Sequence, residues 1–278
     1  MTRADSATAD VTTERFEFGK NWRSFVDTVD GDRIVEAERS LVSMLGRPSL
    51  EGLRFLDAGC GSGLFSLAAI RLGARIVHSF DYDPVSVACA ESLRERFFPG
   101  DVRWTVERGN AIDKTYVTNL DTWDIVYSWG VLHHTGAMWS AIENISGAVT
   151  PGGTLFISIY NDQGLLSRFW KMVKRAYNTG LLARSVIVAV FVPIFVARGL
   201  ARDLLEGRNP VRRYREYRRM RGMSIVHDWR DWLGGYPFEV AKPEHIFNFL
   251  KDRGFMLERL KTCGGGLGCN EFVFRKSL

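Results

Sequence analysis

The stretch Arg54-Phe-Leu-Asp-Ala-Gly-Cys-Gly-Ser-Gly63 connects a short apolar run to a segment with helical periodicity. Residues 54–58 are typical of a buried strand, and the next segment places four apolar residues on one helical face: Leu64, Leu67, Ala68 and Leu72. Glycines at 59, 61 and 63 let the backbone turn tightly and bring bare amide groups close to a ligand. The stretch therefore predicts a strand, a ligand-binding turn and a helix.

Strand-like and helix-like segments alternate from this stretch to residue 160. Further strands are predicted at 75–80, 102–106, 124–129 and 154–160, and helices at 63–72, 84–96 and 137–149. Strands separated by helices of about 10 to 15 residues form βαβ units with a parallel sheet. In such sheets ligands bind beyond the carboxyl ends of the strands, so functional residues are expected there.

The pattern resumes near the end of the chain, with a helix at 243–253 and strands at 255–260 and 270–274. The turn Gly264-Gly-Gly-Leu-Gly268 joins these two strands and is too short for a helical crossover. The two strands are therefore predicted to be antiparallel neighbours. The predicted fold is α/β, with an open, mostly parallel sheet that ends in an antiparallel strand.

The composition of the 278 residues is that of a folded soluble protein, with 46% hydrophobic and 25% charged residues. It excludes a disordered chain, a collagen and a disulfide scaffold. Four cysteines without zinc-like spacing favour free thiols and no metal site, and no secretory signal opens the chain, so a cytoplasmic location is expected. Residues 1–12 are predicted to be a disordered tail, and 13–278 one domain with a helical cap inserted at 164–233.

The positive charge is concentrated in one segment. Residues 163–230 hold 15 Lys and Arg against 4 Asp and Glu, a local charge of +11 in a chain of +5, so the remainder carries −6. A basic insertion in an acidic body indicates an anionic surface or partner for the insertion. It does not indicate a nucleic-acid-binding protein.

The apolar segment 181–197 contains Arg184, Ser185 and Pro193. A membrane-spanning helix needs about 20 consecutive apolar residues, so this segment is not expected to cross a bilayer. Together with the arginine cluster at 212–221, it is typical of a helix seated on a membrane surface, which predicts peripheral contact through 181–221. The alternative is a helical cap that packs on the body or on a second copy, as in a homodimer.

Two acidic residues accompany the glycine-rich turn. Asp57 precedes it, and Asp81 closes the second strand. A dinucleotide-binding turn needs glycine where Leu64 stands, and a carboxylate at 57 repels pyrophosphate but suits an ammonium group. A carboxylate at the end of the second strand suits ribose hydroxyls.

Five ordered motifs resemble those of class I S-adenosylmethionine-dependent methyltransferases. They are Phe55 to Gly63, Phe80-Asp-Tyr-Asp-Pro84, Gly109-Asn-Ala111, Trp123-Asp-Ile-Val-Tyr-Ser-Trp-Gly-Val-Leu-His-His134 and Thr150-Pro-Gly-Gly153. The resemblance covers roughly residues 54–160 and the last 36 residues. It implies a Rossmann-like three-layer α/β/α sandwich with a seven-stranded sheet, which agrees with the antiparallel last strand predicted above.

The resemblance also implies the cofactor, S-adenosyl-L-methionine, and the product S-adenosyl-L-homocysteine. The residues that it assigns to the cofactor site are Asp57 near the ammonium, Gly59, Cys60, Gly61 and Gly63 along the amino-acid part, Asp81 and Tyr82 at the ribose, Asn110 and Ala111 at the adenine, and Ser128 at the methionine side. Many members of the family carry aspartate where this chain has Asn110. An amide oxygen still accepts a hydrogen bond from an adenine amino group, so binding is not put in doubt.

Methyl transfer is an in-line displacement, in which the protein aligns the acceptor and, for a hydroxyl acceptor, removes a proton. His133 and His134 follow the fourth strand, and histidine is a suitable base near neutral pH. Adjacent side chains diverge, so at most one is expected to face the site, and support of the following helix is the alternative role. Tyr160 ends the fifth strand at the same edge, where it either contacts the acceptor or belongs to a turn.

The predicted function is methyl transfer from S-adenosylmethionine to a small acceptor. An apolar cap indicates a lipophilic acceptor, as for quinol O-methyltransferases. Two alternatives stay open: another transfer that uses the same cofactor, and a non-catalytic membrane-peripheral module that retains the fold. The aromatic segments Phe16–Trp22 and His227–Trp232 either cover the site or pack only structurally.

Overall fold

The computed structural model describes residues 16, 18–26, 28–210, 229 and 232–278. The strands are β1 (Arg54–Ala58), β2 (Ile76–Asp81), β3 (Trp104–Arg108), β4 (Trp123–Trp129), β5 (Val149–Tyr160), β6 (Phe255–Lys261) and β7 (Cys269–Lys276). The helices are α1 (Gly19–Val26), α2 (Gly31–Leu45), α3 (Leu64–Arg71), α4 (Pro84–Phe97), α5 (Lys114–Asn119), α6 (Met138–Gly147), α7 (Leu165–Tyr177), α8 (Leu181–Leu205) and α9 (Pro243–Lys251).

The seven strands form one sheet in the order β3-β2-β1-β4-β5-β7-β6. Strands β1 to β5 pair in parallel, and β7 pairs antiparallel with both β5 and β6. This confirms the predicted α/β class and the antiparallel last strand. The strand order reverses between β1 and β4, and a parallel sheet opens a ligand crevice beyond the carboxyl ends of its strands at such a point.

Alternate residues of β1 point into separate hydrophobic cores. Phe55 packs with α2 and α3 through Leu41 and Leu67, whereas Leu56 packs on the opposite face of the sheet with Ile142 of α6. A side-chain period of two with both neighbours fully buried requires helices on both faces of the sheet. The result is the three-layer α/β/α sandwich expected from the sequence.

Three predicted boundaries are wrong. The helix expected to run to Val149 ends at Gly147, and β5 begins at Val149, where a turn was expected over Pro151–Gly153. Val149 is fully buried and pairs with Trp123 of β4, so burial and pairing favour the extended backbone at this β-branched residue. Strand β3 starts at Trp104, while Val102 is 90% exposed and precedes the strand.

Helices α7 and α8 follow β5, within the region where the cap was predicted. They pack on a third hydrophobic cluster, built on Trp170, Tyr177, Leu233 and Phe238. Helix α8 continues past Pro193 to Leu205, so it is longer than the apolar segment 181–197. By length and apolar composition this helix could cross a membrane, in contrast to the expectation drawn from Arg184, Ser185 and Pro193.

Some of the predicted features lie outside the described residues. These are the tail at 1–12, the arginine cluster at 212–221 and the beginning of the 227–232 segment. Trp229 and Trp232 of that last segment are described, and both lie near the third cluster or the helices that pack on it.

Candidate functional site

The turn after β1 has a backbone that only glycine fits at position 59. Its amide and that of Cys60 donate hydrogen bonds to the carbonyl of Phe80, at 2.8 and 3.0 Å, which ties the turn to the end of β2. Gly59 has a φ of +85°, and a Cβ there would lie 2.3 Å from Cγ1 of Val131. The turn therefore keeps bare backbone at the carboxyl edge of the sheet, close to the loop that follows β4.

A cavity of about 940 Å³ opens at this edge. Asp57, Gly59, Gly61 and Asp81 line one end of it, on the β1 and β2 side. Trp22 of α1 lies over the turn, since a Cβ built on Gly61 would be 3.0 Å from the indole. Helix α1 thus forms part of the wall of the cavity, as a cover for the turn.

The carboxylate of Asp81 is fixed by two backbone amides. Its Oδ2 accepts a hydrogen bond from the Gly61 amide at 3.0 Å, and its Oδ1 accepts one from the Asp83 amide at 2.9 Å. Asp83 in turn caps α4 and accepts from the Gly19 amide at 2.8 Å, at the start of α1. Backbone donors thus hold Asp81 at the cavity and connect it to the turn, α4 and α1. A carboxylate placed in this way suits a ligand with paired hydroxyl groups.

Asp57 is 2% exposed and belongs to a buried polar network. Its Oδ2 accepts a hydrogen bond from the Ser66 hydroxyl at 2.5 Å. Ser66 pairs with Ser79 at 2.7 Å, and the indole N–H of Trp104 donates to Ser79 at 2.8 Å. Burial, opposed by the hydrogen bonds from Ser66 and assisted by the charge of Asp81, raises the pKa of Asp57 to about 7.

The raised pKa of Asp57 indicates which kind of ligand suits this end of the cavity. Within the described part of the chain, the causes that act on the pKa of Asp57 contain no positive charge. An ammonium group in the cavity would supply one and would favour the ionised carboxylate. The donor set therefore fits the amino-acid part of S-adenosylmethionine, and the bare turn leaves space for it.

Asn110, Ala111 and Tyr82 also line the cavity. The Asn110 side-chain oxygen accepts from the Ile112 amide at 3.2 Å, which holds the side chain in the loop after β3. Tyr82 is about half exposed, and the guanidinium of Arg108 lies 5.6 Å from its ring centre. Cys60 lines the cavity too, and burial raises the pKa of its thiol well above the ordinary value.

The structure does not bring Ser128 or Gly63 to the cavity. Ser128 is fully buried and donates a hydrogen bond to the Ala58 carbonyl at 2.7 Å. Gly63 provides close packing against α4, because a Cβ there would lie 2.9 Å from that of Ala90. Trp129 and Val131, which were not predicted, line the cavity instead.

The two histidines diverge. His134 lines the cavity, and its Nδ1 lies 2.6 Å from the Pro237 carbonyl. Since a carbonyl only accepts, Nδ1 carries the proton of the neutral ring, and Nε2 is the basic nitrogen. His133 is fully buried outside the cavity lining, and its Nδ1 accepts from the Tyr160 amide at 3.4 Å. Burial lowers the pKa of His133 well below the ordinary value, so it stays neutral.

Aromatic and basic residues line the other end of the cavity. Tyr160 lies there with its ring centre 6.0 Å from that of Trp232 and 5.6 Å from that of His134. Phe195 and Arg198 of α8 complete this wall. Phe195 and Arg198 were not predicted from the sequence, because an inserted helix carries no motif that marks which of its residues reach the strand ends. Within the described part of the chain, no group of three or more His, Cys, Asp or Glu residues could hold a metal ion.

A family model described as a methyltransferase domain matches residues 56–155, which run from β1 into β5. This match covers the glycine-rich turn, Asp81 and the loop with Asn110 in the order that the motifs predicted. The matched part of the chain is a methyltransferase domain, which supports the class I S-adenosylmethionine-dependent methyltransferase superfamily. The family predicted from the motifs is thereby confirmed.

Curated relatives match less than half of this chain. The chain is 33% identical over 119 residues to a ubiquinone biosynthesis O-methyltransferase of Methylobacterium sp. (strain 4-46), which covers 42% of this chain and 45% of the relative. It is 29% identical over 119 residues to a tRNA U34 carboxymethyltransferase of Methylococcus capsulatus, covering 43% of this chain and 36% of the relative. The chain thus spans less than half the length of these two relatives.

A solved structure shares the fold over nearly the whole chain. Magnesium protoporphyrin IX methyltransferase from Synechocystis PCC 6803, with bound S-adenosylhomocysteine, superposes with a TM-score of 0.54 at 17% identity. The superposition covers 93% of this chain and 94% of that chain. The similarity confirms the seven-stranded fold of this superfamily member.

Cofactor affinity should rise with pH through the titration of Asp57. In the free protein its pKa is about 7, and a ligand ammonium lowers it, so binding releases a proton below pH 7. Calorimetry should therefore show S-adenosylhomocysteine binding roughly tenfold tighter at pH 8 than at pH 6. The Asp57→Asn variant should lose most of this slope of affinity against pH. Titration of the ligand itself contributes equally to the slopes of both proteins. Equal slopes in the two proteins would contradict the assignment.

A methyl group at Gly59 should weaken cofactor binding by at least about tenfold, because it collides with Val131 and displaces the turn. Gly100→Ala is the matched control, since Gly100 has a φ of +71° with nothing within 4 Å of the added Cβ. Both variants carry the backbone cost of a non-glycine residue at positive φ, about 1 to 2 kcal/mol. Thermal unfolding and calorimetry would measure both effects. Gly59→Ala binding as tightly as Gly100→Ala would refute the steric role.

Proposed function

We propose that this chain is a methyltransferase that uses S-adenosylmethionine to methylate a small lipophilic acceptor. The observation that carries the proposal is one continuous cavity with two chemically distinct ends. Asp57, Asp81 and a bare glycine turn line one end, and aromatic residues with His134 line the other. Family membership supports the cofactor, and the acceptor is inferred from this chain's own side chains.

At the first end, the residues match a nucleoside that carries an amino acid. Asp81 offers fixed carboxylate oxygens for the ribose hydroxyls, and Asp57 offers a negative charge for the ammonium. Asn110 and Ala111 lie where the adenine is expected. When bound, S-adenosylmethionine supplies a methyl group on a positively charged sulfur, and the sulfur leaves as a nucleophile bonds to the methyl carbon.

At the second end, the residues suit a flat apolar acceptor. Tyr160, Trp232 and Phe195 surround the space with rings. Phe18 of the N-terminal segment also lines the cavity, beside His134. Such walls bind apolar molecules by removing their surface from water, and they exclude the water that would compete as a nucleophile. The position of His134 at this end places a basic nitrogen beside the acceptor.

His134 is positioned as a general base. Its Nδ1–H donates to the Pro237 carbonyl, which orients the ring, and the Phe18 ring lies 4.9 Å from it. In this tautomer Nε2 can take a proton from an acceptor hydroxyl. His133 contacts the His134 ring at 4.5 Å and, being neutral and buried, supports it without taking part.

The relatives do not by themselves identify the acceptor. The family model ends within β5, before α7, α8 and the segment with Trp232 begin. The relatives named for ubiquinone biosynthesis and for tRNA U34 each match this chain over 119 residues, so a match of this extent does not select an acceptor. The aromatic end favours a lipophilic acceptor over an RNA, since it forms a cavity with apolar walls.

The decisive experiment is incubation of the chain with methyl-labelled S-adenosylmethionine and a cell extract, with identification of the labelled product. A labelled lipophilic small molecule and release of S-adenosylhomocysteine are the expected results. Cofactor consumption without S-adenosylhomocysteine would indicate another transfer from the same cofactor. Calorimetry without any cofactor binding would indicate the non-catalytic module.

Replacing Asp81 with asparagine should weaken cofactor binding about 10- to 100-fold, the size expected when a hydrogen bond to a charged group is lost. The shape of the side chain is retained, so the change reports on the carboxylate. Asp113→Asn is the matched control, because Asp113 caps α5 by accepting from the Tyr116 amide and asparagine caps equally well. Calorimetry that finds the same affinity for both variants would exclude Asp81 from the site.

Replacing His134 with glutamine should lower the turnover of a hydroxyl acceptor about 100- to 10,000-fold, the usual contribution of a general base. Cofactor affinity should be unchanged, since His134 lies at the acceptor end. A variant with ordinary turnover would leave His134 with a structural role only.

A further inference from the structure

Helix α8 exposes a stripe of large apolar side chains at helical spacing. Leu182, Val186, Val190 and Ile194 follow one another every four residues, and each is at least half exposed. Helix α7 adds Leu165, Phe169 and Met172, whose exposed fractions run from 43% to 80%. These seven residues are called the apolar face. The exposure of so many neighbouring apolar side chains marks an interaction surface.

The apolar face is continuous across the two helices. The ring of Phe169 on α7 lies 6.3 Å from that of Phe191 on α8, which brings the helices side by side. A second side of α8 packs on the third hydrophobic cluster, where the rings of Phe191 and Phe195 lie 5.2 and 6.3 Å from that of Trp170 on α7. Helix α8 therefore presents one side to the protein and the other outward.

This attachment argues against a membrane-spanning role. A spanning helix is surrounded by lipid or by other spanning elements, whereas α8 lies along the domain through Ile187, Phe191 and Phe195. Arg198 also lines the central cavity together with Phe195. A helix attached in this way meets a bilayer along its length, in the plane of the surface.

Basic residues accompany the apolar face. Between Leu165 and Leu205 the exposed basic residues are Arg168, Lys171, Arg175, Arg184, Arg198 and Arg202. The same segment contains one acidic residue, Asp203, which is buried. Glu206 follows, and it pairs with Arg202 and Arg208. A second copy would bring the same positive charge against this surface, whereas anionic headgroups complement it.

We propose that the apolar face seats α7 and α8 in the surface of an anionic bilayer, parallel to its plane. Side chains such as Val186 and Val190 enter the boundary between headgroups and acyl chains, and the basic residues contact the headgroups. Phe195 and Arg198 of the seated helix form one wall of the cavity, so its acceptor end lies beside the lipid. Resting on the proposed function, this placement gives a lipophilic acceptor direct access from the bilayer.

The test is flotation of the full chain with lipid vesicles in the absence of cofactor. Vesicles of phosphatidylcholine with phosphatidylglycerol should carry the protein to the top of the gradient, and vesicles of phosphatidylcholine alone should carry at least tenfold less. High salt should release most of the bound protein. The assay does not depend on methyl transfer, so its result is separate from that of the cofactor experiments.

The variant Val186→Gln/Val190→Gln should bind anionic vesicles at least tenfold more weakly. Its matched control is Val102→Gln/Met256→Gln, which replaces two exposed apolar residues outside α7 and α8 and should bind like the parent chain. Circular dichroism and cofactor binding would show that both variants are folded. Replacing Arg168 and Lys171 with glutamine should also weaken binding and reduce its dependence on salt.

Three outcomes would overturn the proposal. The first is a chain that does not float with anionic vesicles. The second is a homodimer in light scattering that Val186→Gln/Val190→Gln dissociates, which would show that a second copy covers the face. The third is protein that stays in vesicles after extraction at alkaline pH, which would indicate a spanning helix.

Discussion

The hydrogen bond from the Gly61 amide to the Asp81 carboxylate is the contact on which the site depends. It connects the turn after β1 to the end of β2, and the same carboxylate accepts from Asp83, whose side chain accepts from the first residue of α1. One acidic residue thus fixes the position of the glycine turn and, through Asp83, the helix that covers it. These two backbone donors hold the charge in place, where it can accept hydrogen bonds from a neutral ribose.

Beneath this contact, the electrostatics of the buried network favour a cationic ligand group. The chain from Trp104 through Ser79 and Ser66 gives Asp57 donors that hold its carboxyl in place. These groups carry no positive charge, so they do not offset the burial that raises the pKa of Asp57 to about 7. The acceptor end has the opposite character, with rings and the imidazole of His134. The two ends of one cavity are thereby matched to the two reactants of a methyl transfer.

The sheet and the cofactor end could be predicted because their signals are local. Glycines at a strand end, an aspartate closing the next strand and a turn too short for a crossover each have one common structural meaning. The placement of Ser128 could not be predicted, because it depends on which face of the sheet each residue of β4 points to. Tyr127 and Trp129 line the cavity, so the residue between them points elsewhere. The acceptor end also escaped prediction, since Phe195, Arg198 and Trp232 come together only through packing of the inserted helices. Helix α8 extends to Leu205, beyond the apolar segment 181–197, because its last turns include charged residues that the apolar pattern does not cover.

A crystal structure of the chain with S-adenosylhomocysteine is the most direct test of the central claim. We expect the ribose hydroxyls within hydrogen-bond distance of Asp81 and the amino-acid part along Gly59 and Gly61. The sulfur should face His134 and Tyr160. A nucleoside bound at another place, or in the same cavity with its ribose away from Asp81, would contradict this assignment.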